Sequence, residues 1–300
     1  MPLSTSTYGK DNVKFLKIKK DPANPKIQEV IEVSCKVLLV GDFDVSYTKA
    51  DNSPIVPTDT VKNTVLILAK TQKVWPIERF AANLSSHFLK KYAHVSAVDV
   101  EVEQLPWKKY QVDGKLHDHS FIKSGTELRV TKVHQNRAGD FNLTSGLKDL
   151  TVLKSTNSMF YGYHQCDFTT LKETKDRILS TDVDAVWTWD PKKVTVANID
   201  TLADGGAFDK TFDSARQTTL DLFATQNSPS VQATMYDMGT EILKNNLLVK
   251  DVSYNLPNKH YFLIDLSWKG LSNDNELFYP SWHPNGLIKC TVVREPKAKL

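Results

Sequence analysis

Residues 8–20, YGKDNVKFLKIKK, alternate apolar and polar side chains through Val13, Phe15, Leu16 and Ile18, which predicts a strand. Residues 26–40 are richer in β-branched side chains and predict a second. The polar stretch at 41–54, GDFDVSYTKADNSP, predicts a loop. From Thr58 to about Lys70 the spacing becomes helical, although valines and threonines give that segment a weak intrinsic propensity. A clearer helix follows: Pro76 suits its first turn, and Ile77, Phe80, Ala81, Leu84 and Phe88 share one face. Lys90 and Lys91 then sit favourably at the negative end of the helix dipole. Period-two strands are predicted at 95–105 and within 119–133, with a turn at 136–140, NRAGD.

The second half repeats the plan. Strands are predicted at 147–154 and 178–191, then a helix at 208–224 carrying Phe208, Phe212, Ala215, Leu222 and Phe223. A further helix starts at Ser228 and Pro229, with Val231, Met235, Met238 and Ile242 as its stripe. Strands close the chain at 247–266, broken at Pro257, and at 286–294. Each half therefore reads strand, strand, helix, helix, strand, strand, an internal duplication with its boundary near 137–145. The expected organisation is a first domain of residues 1–140 and a second of residues 141–300. The expected fold class is α+β, with antiparallel sheets carrying helices on one face and exposed edges that call for partner subunits.

Composition narrows the partners. The formal net charge is only +3, with lysines and acids interleaved, so Lys17–Lys20 reads as a solvated strand face and no nucleic-acid partner is expected. Cys35, Cys166 and Cys290 are odd in number, widely spaced and without a CxxC pair, which argues for a reducing compartment and against a disulfide frame or thiolate zinc. The glycosylation patterns at 83–85 and 142–144 mean little without a leader, and the first twenty residues hold no long apolar run. No stretch approaches the roughly 18 apolar residues of a membrane span, so no membrane association is expected. The last residues, Ala298, Lys299 and Leu300, form a small–basic–leucine variant of the peroxisomal address and predict that destination.

Candidate chemistry is dispersed. His117 and His119 share one side of a strand, but no third ligand has metal-site spacing, so polar strand histidines are the simpler reading and no metal is expected. GxGxxG, GxxxxGK[ST] and GxSxG are all absent, and no cofactor is expected. In LPNKHYF (256–262), Asn258 and His260 would share one face of an extended chain and could hold a small polar molecule and move a proton. In residues 150–177, Phe160 could stack on a flat ring and Arg177 could fork onto a carbonyl or anion. Thr58 and Asp59, in PTDTVKN, are ordinary helix-capping types that could also face a ligand. Taken singly, each of these has a bland structural role open to it.

Together they resemble the urate oxidase (uricase) family. The stretch with Leu150, Val152, Leu153, Lys154, Ser155, Thr156, Ser158, Phe160, Tyr163, Phe168, Leu171 and Arg177 is similar to that family's signature. YGKDNV, PTDTVKN, SPSVQATM, PNKHYF and the AKL ending resemble it too, in order, so the resemblance spans essentially the whole chain. It implies two tandem T-fold domains and a homotetramer closed into a tunnel, with active sites between subunits. It also implies oxidation of urate by dioxygen and water to 5-hydroxyisourate and hydrogen peroxide. Lys10, Thr58 and Asp59 would then come from one chain. Phe160, Arg177, Val231, Gln232, Asn258 and His260 would come from its neighbour.

The implied roles suit a flat anion. Phe160 stacks, Arg177 forks onto the ring edge, Gln232 pairs with an adjacent NH and C=O, and the Val231 N–H adds a contact. The helix start at Thr58 and Asp59 offers backbone N–H groups. Lys10, Thr58 and His260 form the implied proton relay, which works only if burial or a nearby cation brings a lysine well below roughly 10.4. Asn258 and Thr58 hold dioxygen and then water. The other partner implied is the peroxisomal import receptor. The rivals are a zinc-dependent T-fold enzyme and a silent purine-binding protein.

Overall fold

The computed structural model describes residues 3–294, so Ala298, Lys299 and Leu300 lie outside the described residues. The chain forms two compact units, Met1–Gly146 with Trp187–Phe212, and Leu147–Val186 with Asp213–Leu300. Both are antiparallel sheets with helices on one face, as the α+β reading expected.

In the first unit, β1 (Tyr8–Lys20) and β2 (Gln28–Gly41) precede α1 (Asp44–Thr48), α2 (Thr58–Thr71) and α3 (Ile77–Lys91). Then come β3 (Val95–Gln104), β4 (Trp107–Val112), β5 (Lys115–Lys123), β6 (Leu128–Asn136) and the start of β7 (Phe141–Lys154). The strand order is β1-β2-β3-β6-β7, with β4 and β5 paired as a separate hairpin. On β2, Ile31, Val33, Cys35, Val37 and Leu39 are buried, and the residues between them face away. The apolar stripe of α3 packs on β3 and β6, while α2 packs on β1. Burial pushes the Cys35 thiol up to about 12, so it behaves as a core side chain.

The second unit holds the end of β7, most of β8 (Leu179–Trp189), β9 (Val249–Leu263) and β10 (Phe278–Val293), in the order β7-β8-β9-β10. Between β8 and β9 run α4 (Ile199–Asp204), α5 (Ala207–Thr225) and α6 (Val231–Asn245); α4 and the start of α5 belong to the first unit. The buried stripe of α6, including Met235, Met238 and Ile242, packs on β9 and β10. A Cβ on Gly239 would stand 2.7 Å from Val292 Cγ2, so the helix approaches β10 as closely as glycine allows.

Several expectations need correcting. The 41–54 loop contains the one-turn α1, which buries no residue and so left no apolar stripe. The β4 strand and α4 were not expected, and β7 and β10 start six and eight residues earlier than the periodicity suggests. Strand β9 does not break at Pro257: it pairs with Leu287 of β10 and the strand continues to Leu263. A proline lacking its N–H is tolerated there because the β9–β10 ladder itself slips immediately beyond, between Ser281 and Gly286. No helix among the described residues is long and apolar enough to cross a membrane.

A buried charge pair lies in the first unit. Glu78, wholly buried, accepts from Arg129 Nη2 at 2.9 Å and from Ser145 Oγ at 2.8 Å, while Arg129 Nη1 reaches Asp209 at 2.6 Å. Replacing Glu78 with alanine leaves Arg129 with only the exposed Asp209 as its counter-ion and removes the acceptor of Ser145. We expect Glu78→Ala to lower unfolding free energy by about 3 kcal/mol or more, read from urea denaturation, whereas a typical surface substitution stays within about 0.5 kcal/mol.

Candidate active site

In the first unit the expected residues meet where β1 faces the start of α2. Tyr8 and Lys10 lie on the same side of β1. The Tyr8 hydroxyl accepts the Val56 N–H at 2.8 Å and its ring meets Phe43 edge-on at 4.8 Å, which fixes the segment leading into α2. Gly9 lies so close to β2 that a Cβ would stand 1.8 Å from the Val37 carbonyl oxygen. Directly after Lys10 the β1–β2 register slips, with Asn12 at φ 56°. Such a bulge re-aims the strand beside it, here at Lys10.

Thr58 and Asp59 do not cap α2. Pro57 occupies the N-cap with extended backbone and no side-chain cap bond, and Thr58 and Asp59 are the first two helical residues. A proline carbonyl can accept the first helical bond, here from Val61 N at 3.1 Å, without a capping side chain. The Thr58 and Asp59 N–H groups therefore remain at the positive end of the helix dipole. The Asp59 carboxylate turns along the helix to Lys62 and to Asn63 Nδ2 at 2.9 Å. The Lys62 hydrogen bond, then the Lys62 charge and more weakly Lys10, hold its pKa below the usual carboxylate range. Among the described residues, neither the Lys10 ammonium nor the Thr58 hydroxyl has a hydrogen-bond partner.

In the second unit, Phe160 and Arg177 come together as expected. Phe160 pairs with Thr174 through two backbone bonds, Phe160 N to Thr174 O at 2.8 Å and Thr174 N to Phe160 O at 3.0 Å. The Arg177 guanidinium carbon lies 5.1 Å from the Phe160 ring centroid, and Tyr163 stacks on Phe160 at 4.8 Å. The neighbouring Asp176 is occupied by Thr156 Oγ1 at 2.8 Å. Arg177 Nε is buried without a partner, and no carboxylate among the described residues pairs with this arginine. Burial pushes its pKa down from the ordinary value, yet an arginine stays cationic at neutral pH. A half-buried cation paired with no carboxylate, next to an aromatic face, can receive a flat anion.

Val231 and Gln232 open α6. Ser230 caps that helix through the Ala233 N–H at 3.1 Å, leaving the first two N–H groups, those of Val231 and Gln232, outside the helical ladder. Backbone bonds from Met159 N to Ser228 O (2.8 Å) and from Ser228 N to Asn157 O (3.0 Å) tie the approach to Phe160 to the approach to Val231.

Asn258 and His260 lie on one face of β9, as the extended reading required, and His260 stacks on Phe262 at 5.9 Å. Lys259, pointing the other way, donates to Asp182 on β8 at 2.6 Å. With Asn255 Nδ2 to Asp184 Oδ2 at 3.0 Å, this brings the Arg177 end of β8 towards the Asn258–His260 end of β9. Tyr8 and the Lys259–Asp182 pair escaped the sequence reading. Period-two alternation puts Tyr8 beside Lys10, but nothing in sequence pairs Lys259 with a residue 77 positions away.

Among the described residues no group of three or more His, Cys, Asp or Glu side chains is placed to hold a metal ion. His117 and His119 meet edge-on at 4.7 Å, and His119 Nδ1 faces the Lys26 carbonyl at 3.2 Å.

Comparison with known proteins gives the same direction. The family model for uricase matches residues 6–134 and 143–289. The uricase of Cyberlindnera jadinii is 67% identical over 299 residues, 99% of each chain. That of Aspergillus flavus is 48% identical over 303 residues, again 99% of each. The crystal structure of uricase from Arthrobacter globiformis matches with a TM-score of 0.88 at 34% identity, covering 98% of this chain and 96% of that one.

The Asp182–Lys259 pair makes a pH prediction. Burial raises the Asp182 pKa, but hydrogen bonds from Lys259 and Thr151 outweigh that and hold it below the usual carboxylate range. A depressed folded pKa means the stabilisation is full above the unfolded value of about 3.9 and is lost as pH falls through the folded one. Asp182→Asn should therefore unfold about 1.5–3 kcal/mol more easily than the parent near pH 7, with the gap closing below about pH 4. Denaturant titrations across that range read it directly.

Proposed function

The chain belongs to the uricase family, and on that premise we propose that it is a urate oxidase working without metal or flavin. Its fold is a tandem pair of T-fold units. In the proposed reaction two electrons pass from urate to dioxygen, giving hydrogen peroxide, and a water oxygen becomes the hydroxyl of 5-hydroxyisourate. Urate, dioxygen and water are consumed one for one, so atoms and electrons balance. Deprotonated urate is itself the electron donor, which is why no redox cofactor enters.

The observation that carries this reading is Arg177, cationic, half-buried, over Phe160 and unpaired. Urate is flat and anionic. In the proposed complex Phe160 covers its face, Arg177 forks onto a ring carbonyl and nitrogen, Gln232 and the Val231 N–H meet the other edge, and the helix start at Thr58 and Asp59 adds N–H donors. Lys10, Thr58 and His260 move the protons, and Asn258 with Thr58 holds dioxygen and then water above the ring.

We also propose a homotetramer whose sites form between subunits. What supports it is the division of these residues, with Lys10, Thr58 and Asp59 in one unit and the other six in the second. The outermost strands β1 and β10, and large apolar side chains such as Phe168 (91% exposed) and Trp268 (79% exposed), also leave surface for neighbours. The boundary at residues 140 and 141 is proposed from the duplicated pattern, and delivery to the peroxisome by its import receptor from Ala298-Lys299-Leu300.

The reading is tested by following urate loss, oxygen uptake and peroxide in protein pretreated with a strong chelator. Consumption of both substrates with peroxide formed is expected. Activity lost on chelation and restored by metal would overturn the cofactor-free mechanism, and urate binding without oxygen uptake would indicate a silent binding protein.

Lys10→Met should reduce kcat by about 10²-fold or more while urate binding without oxygen is kept, because a proton-transfer group acts in the transition state. Arg177→Ala should instead raise the urate dissociation constant, by roughly tenfold or more for a lost charge-assisted clamp. Removing Ala298–Leu300 should leave activity unchanged and abolish peroxisomal import, scored by microscopy in cells.

A further inference from the structure

Lys154, at the end of β7, does not touch any position assigned to the substrate, yet its ammonium is fully used. It donates to Ser228 Oγ at 2.7 Å and to the Gln226 carbonyl at 2.8 Å, and it lies 5.4 Å from the centre of the Phe223 ring. Ser228 Oγ in turn accepts from Thr234 Oγ1 of α6 at 2.9 Å. All these residues belong to the second unit.

Position in the chain gives the cluster its meaning. Lys154 begins the segment that leads to Phe160. Gln226 and Ser228 form the short connection from α5 to α6 and end just before Val231 and Gln232. The two strands of chain are already paired by backbone at Ser158 and Ser228. Without the ammonium, that isolated bridge is held by two backbone bonds, and one bridge can hinge. With it, a charge-assisted donor spans both segments and Thr234 ties them to the body of α6.

We propose that Lys154 is a positioning residue for the reaction: a staple that sets the plane of Phe160 against the N–H edge of Val231 and Gln232. The inference rests on the urate oxidase reading. Its chemical logic is that a stacking face and a hydrogen-bonding edge recognise one flat molecule only if their relative height is fixed. A displacement of about 1 Å is enough to cost binding and rate heavily. Lys154 acts through the Ser228 hydroxyl and the Gln226 carbonyl, not on urate.

The test uses full-length Lys154→Met, Lys154→Arg, Ser228→Ala and Lys154→Met/Ser228→Ala proteins, with urate binding measured without oxygen by difference absorbance, kcat from oxygen uptake, and folding checked by circular dichroism. Lys154→Met is expected to fold, to bind urate about tenfold more weakly and to lose kcat as well, with partial recovery in Lys154→Arg. Ser228→Ala keeps the Gln226 contact and the backbone bridge, so its effect should be smaller, and it should not add to that of Lys154→Met. Should Lys154→Met fail to fold, Ser228→Ala alone decides through the same weakened binding. Folded variants binding urate within about twofold of the parent would overturn the staple, since that is under 0.5 kcal/mol. So would effects of Lys154 and Ser228 that simply add. A parent that neither binds nor oxidises urate would remove the functional reading itself, which distinguishes that failure from this one.

Discussion

A guanidinium held half-buried without a carboxylate organises the segment around it. Taking a charge out of water costs several kcal/mol unless something neutralises it. Arg177 has an aspartate as its sequence neighbour, yet Thr156 takes that carboxylate and leaves the arginine unpaired. The Phe160 face offsets part of the cost through cation–π attraction. The remainder is carried by the fold around it, through the paired backbone at Thr174, the bridge at Ser228 and the β8–β9 contacts at Asp182. In the proposed complex, urate brings the missing charge to an arginine already held in place by this order.

The same economy appears in the first unit. The Lys10 ammonium and the Thr58 hydroxyl have no hydrogen-bond partner among the described residues, while their neighbours Tyr8 and Asp59 are tied down. Both units place their reactive candidates beside a break in strand register, after Lys10 on β1 and opposite Lys259 on β9. Each break lies in a ladder formed with the outermost strand of its unit. Regular ladders bind every backbone group to a neighbour. A slip frees a few groups and turns a side chain, and these are what a site needs.

Much of this was legible in the sequence, for physical reasons that differ by element. The α3 stripe from Ile77 to Phe88 could be read because one face packs wholly on a sheet, and β2 because alternate residues bury. The α1 helix was hidden because it buries nothing, and β4 because its side chains are mostly exposed on a two-stranded hairpin. Pro257 misled because proline usually ends a strand, and the slip that accommodates it depends on residues 281–286, far along the chain. Thr58 and Asp59 were read as caps from residue type, while Pro57 took that position. Phe160 and Arg177 were found together because they lie in one signature. The Lys259–Asp182 pair could not be, since it depends on the register between two strands.

In the proposed assembly a complete site takes Lys10 and Thr58 from one chain and Arg177 and Phe160 from another. The most direct measurement is activity in mixed assemblies of two defective variants, Lys10→Met and Arg177→Ala, denatured together and refolded, with mixing verified by native mass spectrometry. If sites are shared, random mixing restores both intact halves at about a quarter of the sites, and urate oxidation, assayed at urate well below the Arg177→Ala dissociation constant, should rise to about that fraction of the parent value. Verified mixed tetramers no more active than the average of the two variants would contradict the claim and place both halves of each site in a single chain.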